Sequence, residues 1–142
     1  MNNVELDKNL APQADDLQPL RTRFHEFVQS SIPGLPDEDE DEHFLFTLTD
    51  DGELIGGICG SVYWDGLEID TLWIDDRYRD HGHGRSLVAE AEEYGRSLGA
   101  VIAFLKTVEA SEFYQGLGYE IFGILEDRPI GTHLYHMKKR LD

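Results

Sequence analysis

Residues 72–84, Leu-Trp-Ile-Asp-Asp-Arg-Tyr-Arg-Asp-His-Gly-His-Gly, run from an apolar strand into a glycine-punctuated turn, and a helical pattern follows. A strand feeding a helix through such a turn is built to hold an anion. The first backbone N–H groups of a helix lack partners within it, and the helix dipole adds partial positive charge at that end. Gly82 and Gly84 would bare the backbone to a phosphate, with Arg79 and Arg85 supplying a charged fork from the side. The pattern is not a P-loop, which needs Gly-Lys-Ser/Thr, nor a dinucleotide fingerprint, because Leu87 stands where the third glycine belongs. His81 and His83 have the spacing to face one way within this loop. Upstream, Glu68, Asp70, Leu72 and Ile74 fall on one face of a strand by its period of two, which sets two carboxylates beside the strand end. His133 and His136 are three apart in a strand pattern and so point to opposite faces, which argues against a shared metal, and none is expected.

The elements that position these residues can be read from turn signals and periodicity. A chain of 142 residues fits one domain, 1–142, and 40% hydrophobic with 29% charged residues is a globular balance. Asp15 or Asp16 can cap a helix carrying Leu17, Leu20, Phe24, Phe27 and Val28 as one stripe. The run Asp37–Glu42 reads as a solvated loop. Strands follow over 43–49, 54–64 and 67–74, joined by turns at Asp50-Asp51-Gly52 and Asp65-Gly66, which makes all three antiparallel neighbours. A helix over 84–98 places Leu87, Val88, Ala91, Tyr94 and Leu98 on one stripe and stops at Gly99. The strand 101–105 then returns by a right-handed crossover, parallel to its neighbour. A short helix over 112–116 and strands over 119–125 and 133–139 complete the chain. Tyr63 and Trp64, at a strand end, read as core more readily than as the wall of a site.

Composition excludes several functions. The 29 acidic residues against 12 basic give a net charge of −17, which repels nucleic-acid phosphates and anionic membrane surfaces and attracts cations. No apolar run approaches the roughly 20 residues needed to span a bilayer, and the first residues show neither a basic nor an apolar leader, so a cytoplasmic protein is expected. Cys59 stands alone in an apolar run and reads as a buried small hydrophobe.

Arg79-x-x-Gly82-x-Gly84 after the strand Leu72-Trp73-Ile74, followed by Phe113-Tyr114-Gln115-Gly116-Leu117-Gly118-Tyr119, resembles the paired motifs of the GNAT superfamily of N-acetyltransferases. The resemblance implies an α/β (α+β) fold with a mixed, mostly antiparallel sheet of about six to seven strands, helices on both faces and a splayed parallel strand pair. It further implies that acetyl-CoA lies in the splay. The backbone around Leu72, Trp73 and Ile74 would pair with its pantetheine, and Arg79 with the amides of Asp80, His81, Gly82, His83, Gly84 and Arg85 would hold its pyrophosphate. Tyr114 resembles the tyrosine that protonates the departing thiolate and would also touch the cofactor. An alkylammonium acceptor has a pKa of about 10.4 and must lose a proton before it attacks. Glu68 is the first candidate for that base and Asp70 the second. The expected acceptor is a primary amine on a cationic small molecule or peptide. Homodimers are common in the family, and the alternative reading is a domain that binds acyl-CoA without turnover.

Overall fold

The computed structural model describes residues 3–36 and 41–142. The chain divides into two units, Met1–Pro36 and Asp37–Asp142. The first unit holds helix α1, Ala14–Ser31. Its N-cap is Gln13 rather than Asp15 or Asp16: the Asp16 carboxylate reaches back and accepts the Gln13 backbone N–H at 2.9 Å, so the acid works from the first turn. Residues 37–40 of the acidic run lie outside the described residues, and Glu42 opens the first strand.

The second unit contains β1 (Glu42–Asp50), β2 (Glu53–Tyr63), β3 (Gly66–Ile74), α2 (His83–Ser97), β4 (Ile102–Thr107), α3 (Ser111–Gln115), β5 (Glu120–Glu126) and β6 (His133–Arg140). They form one six-stranded sheet in the order β1-β2-β3-β4-β6-β5, in which only β3 and β4 run parallel. The mixed sheet and its crossover are as expected. The first hairpin turns at Asp51 and Gly52, both with positive φ, as a two-residue turn between twisted strands demands. The second turns one residue earlier than expected, at Trp64 and Asp65, with φ of 50° and 62°. Gly66 is therefore not the turn glycine but the first residue of β3, where a Cβ would sit 3.1 Å from the Phe104 ring. Trp64, placed in the turn, is 48% exposed and is not core.

Ile58, Leu67, Val88 and Met137 are the largest fully buried side chains, so the core lies between the sheet and α2. Cys59, beside Ile58 on β2, is only partly buried, because alternation along the strand turns it to the opposite face. Helix α2 buries Leu87, Val88, Ala91, Glu92 and Gly95. Leu98 does not join them, because the helix ends at Ser97 and Leu98, its C-cap, is exposed. Buried Glu92 accepts hydrogen bonds from the Tyr119 hydroxyl at 2.8 Å and from Lys139 Nζ at 3.0 Å, tying α2 to β6 and to the residue before β5.

One irregularity in β3 shapes the space beside it. Gly60 pairs with Ile69 and Cys59 with Thr71, so Asp70 is an extra residue, a β-bulge. A Cβ at Gly60 would lie 2.0 Å from the Glu68 carbonyl oxygen, a contact only glycine permits. Replacing Gly60 by alanine is expected to cost about 3 kcal/mol through backbone displacement. At Gly123 a Cβ would meet only His136 at 3.8 Å, so Gly123→Ala should be close to neutral. Urea unfolding midpoints of the two variants check the contrast.

Candidate active site

The parallel pairing of β3 with β4 begins at Gly66 and Ile102 and ends at Ile69 and Leu105, at the bulge. Beyond it β3 continues to Ile74 against β2, while β4 continues to Thr107 against β6. The two strands part, and the β4-facing edge of residues 70–74 has no strand partner. Such an edge offers backbone N–H and C=O groups to an extended ligand. The opening is a cleft of about 410 Å³ whose walls include Asp70, Leu72, Leu105, Thr107 and Tyr114.

At the far end of β3, the glycine-punctuated loop leads into the N-terminus of α2. Gly82 is the N-cap of α2 with φ of 84°, no side chain caps the helix, and its first turn carries no acidic residue. A Cβ on Gly82 would have nothing within 4 Å, so the backbone there is bare. Gly84 differs: a Cβ would sit 3.3 Å from Phe113, so this glycine seats α3 against α2. His83 begins the helix, and its ring lies 6.3 Å from that of His81. The Arg79 guanidinium already donates to the Ile74 carbonyl at 2.8 Å and pairs with Asp76 at 2.7 Å. Asp80 stands in the loop with φ of 65°. Exposed Trp73 points away from the core that Leu72 and Ile74 join. Arg85 borders a second hollow of about 230 Å³, with Lys139 and Gly116 across from it.

Tyr114 enters the cleft wall from α3. Thr107 Oγ1 accepts the Ala110 N–H at 3.0 Å and the Ala110 carbonyl accepts the Tyr114 N–H, so the end of β4 dictates where α3 starts. The Tyr114 ring packs between Phe113 and Tyr119, with centroids at 5.1 and 5.6 Å. Burial pushes its phenol up to about 12, because the phenolate loses more hydration than the phenol. It is thus a protonated donor throughout the neutral range.

The bulge corrects the expected carboxylate geometry. Leu67 and Ile69 face the core before it, whereas Leu72 and Ile74 pack against the same core after it. Glu68 therefore points to the opposite face from Leu72 and Ile74, since the extra residue shifts the alternation by one. Asp70, the bulged residue, is exposed and forms part of the cleft wall. Glu68 is half-buried and accepts a hydrogen bond at 3.0 Å from Tyr63, which is itself half-buried and not the core residue its strand-end position suggests. Burial, the hydrogen bond to Glu68 and the nearby charges of Glu68, Asp41 and Asp70 push the Tyr63 phenol up to about 12. The role of Tyr63, and the Glu92, Tyr119 and Lys139 cluster beneath the second hollow, escape sequence reasoning. A polar residue inside an apolar helix stripe is the available signal for Glu92.

The family model described as the acetyltransferase (GNAT) family matches residues 8–119. A blasticidin-S acetyltransferase of Streptomyces morookaense is 37% identical over 93 residues, covering 63% of this chain and 68% of that protein. An acetyltransferase from Bacillus cereus superposes with a TM-score of 0.83 at 27% identity, covering 96% of this chain and 97% of its own. An aminoglycoside 6'-N-acetyltransferase complexed with coenzyme A shares the fold at 18% identity, with a TM-score of 0.64 over 93% of this chain and 96% of that one. With the splayed strand pair, the bare helix terminus and the tyrosine-walled cleft in this order along the sequence, the chain belongs to the GNAT family of acetyltransferases.

Proposed function

We propose that residues 1–142 act as one cytoplasmic N-acetyltransferase domain, moving the acetyl group of acetyl-CoA to a primary amine on a cationic small molecule. The observation that carries the reading is Tyr114 in the wall of a cleft bounded by an unpaired strand edge. The residues present fit the cosubstrate. The open edge of 70–74 suits the amides of pantetheine, and the uncapped N-terminus of α2 at Gly82 suits a pyrophosphate. Amides from Asp80 to Arg85 carry most of that second task, since Arg79 has two of its donor positions engaged within the protein. Bound there, acetyl-CoA supplies an activated thioester.

In the transfer the amine nitrogen bonds to the acetyl carbon and the carbon–sulfur bond breaks. Glu68, or Asp70 from the cleft wall, takes the proton the ammonium must lose before attack. The Tyr114 hydroxyl gives its proton to the departing sulfur, and the second proton released as the amine becomes an amide restores the phenol. A phenol at about 12 is a weaker acid than a thiol of about 8.5 in water. The same burial that weakens the phenol raises the basicity of a thiolate formed beside it, which narrows the gap. The net charge of −17 and the similarity to a blasticidin-S acetyltransferase favour a cationic small-molecule acceptor.

Titration calorimetry should give one molecule of acetyl-CoA per chain with micromolar affinity, roughly −8 kcal/mol. Gly82→Val, which forces a branched side chain into left-handed backbone against the phosphate site, should remove that heat; unchanged affinity would discard the phosphate assignment. Thiol release from acetyl-CoA should then respond to blasticidin S or spermidine, whereas binding without release to any amine would favour the non-catalytic alternative. Tyr114→Phe is expected to lower kcat roughly a hundredfold while leaving acetyl-CoA affinity near that of the wild type. An unchanged kcat would reject Tyr114 as the acid.

A further inference from the structure

Glu68, the first candidate for the base, is held by a side chain to which the acetyl-transfer reading has given no role, Tyr63. Tyr63, the last residue of β2, opposes Gly66, the first of β3, and its hydroxyl reaches diagonally to Glu68 Oε1 at 3.0 Å. Its ring is clasped from two sides, by Trp64 with centroids at 5.6 Å and by Phe104 at 6.3 Å, both edge-on. Phe104 can stand there because Gly66 has no side chain; a Cβ would come within 3.1 Å of its ring. Turn, glycine and two aromatic rings thus hold one phenol oxygen in one place.

Glu68 needs such a hold. It aligns with Phe104 across the parallel pair, one residue before the last pairing of β3 with β4, so it stands next to the point where the strands part, adjoining the cleft-lining Ile69 without itself lining the cleft. A glutamate side chain on a strand has several accessible rotamers, and a base works only within hydrogen-bond reach of the proton it removes. A lysine or arginine could fix it, but would repel an ammonium acceptor and lower the carboxylate's basicity. A neutral phenol fixes it without repelling the acceptor, and its hydrogen bond lowers the carboxylate's basicity less than a full positive charge would. Among the described residues, Glu68, Asp70 and Asp41 have no ion-pair partner, and only Tyr63 hydrogen-bonds to Glu68. The phenol itself is held protonated by burial and by these carboxylates, so it donates and does not compete as a base.

We propose that Tyr63 is the positioning residue for Glu68, holding Oε1 by its hydroxyl and leaving Oε2 free to take the proton of the acceptor amine. The inference rests on the acetyl-transfer reading with Glu68 as base. Tyr63→Phe keeps the ring packing and removes only the hydroxyl. With the faster of blasticidin S and spermidine as amine, this variant should show kcat roughly tenfold down, the KM for acetyl-CoA unchanged and thermal stability retained. Added to Glu68→Gln, it should cause no further loss, because the carboxylate it would orient is gone. A separate measurement needs no amine: the ultraviolet titration of Tyr63, assigned by difference from Tyr63→Phe, should move down from about 12 toward the ordinary phenol value in Glu68→Gln.

A slow Glu68→Gln beside a Tyr63→Phe of wild-type kcat would overturn this proposal and leave the base in place. Losses that multiply in the double variant would overturn it as well, as would a Tyr63 titration indifferent to Glu68. If Glu68→Gln turns over normally, the base assignment falls and the proposal with it; if the wild type acetylates neither amine, acetyl transfer itself is the reading that fails.

Discussion

Between Gly60 and the carbonyl of Glu68 the backbones of β2 and β3 come so close that a methyl group on residue 60 would lie 2.0 Å from that oxygen. An antiparallel pair with side chains on both strands cannot approach this far. The contact lets β3 bunch an extra residue, Asp70, against β2 and bend away from β4. From that point the sheet's two halves diverge. The cleft, the unpaired edge of 70–74 and the entry of α3 into the gap depend on that divergence. Had the parallel pairing continued beyond Ile69 and Leu105, the sheet would have closed over the space that Tyr114 now borders.

The same bulge marks the limit of what the sequence discloses. The succession of elements, the antiparallel pairing of the first three strands, the crossover through α2 and the bare N-terminus at Gly82 are legible, because turns and helix stripes are local signals within a few residues. Alternation along β3 reads as continuous, and that puts Glu68 on the side of Leu72 and Ile74. A bulge is specified by the partner strand, here by a missing side chain at Gly60 on β2, so no window on β3 alone reveals it. Gly66 misleads in the opposite sense. Beside Asp65 it reads as a turn glycine, yet its role is to admit Phe104, and the turn bears the left-handed backbone at Trp64 and Asp65 instead.

Within the second unit, charge is disposed differently in the interior and at the surface. The carboxylates of that unit are mostly solvated, but Glu92 lies buried and holds Lys139 and the Tyr119 hydroxyl. Burial first, then the charge of Glu92, pushes the Tyr119 phenol far above its ordinary value, so it remains a donor to that carboxylate. Because the Tyr119 ring rests on Tyr114 at 5.6 Å, this cluster braces the cleft tyrosine from behind. A buried ion pair adds little net stability over apolar packing; its value here is geometric, since it joins α2, β6 and the turn after α3 at the level of the cleft.

The two halves of the site are therefore encoded in different ways. On the proposed reading, phosphate and pantetheine would be met by backbone groups, which any side chain can accompany provided that glycine stands at 82 and the strand edge is open; such a site leaves a short, regular trace in sequence. The acceptor side proposed here would draw on side chains of three strands, with Tyr63, Glu68 and Phe104 meeting across register pairs that chain order does not announce. A neutral hydroxyl holding a carboxylate without a cationic partner suits an acceptor that arrives as an ammonium ion, because the negative charge is not already matched by a cation of the protein. Selection among amines would then depend on the shape around Tyr63 and Phe104 more than on the overall acidity of the chain, whose field attracts all cations alike.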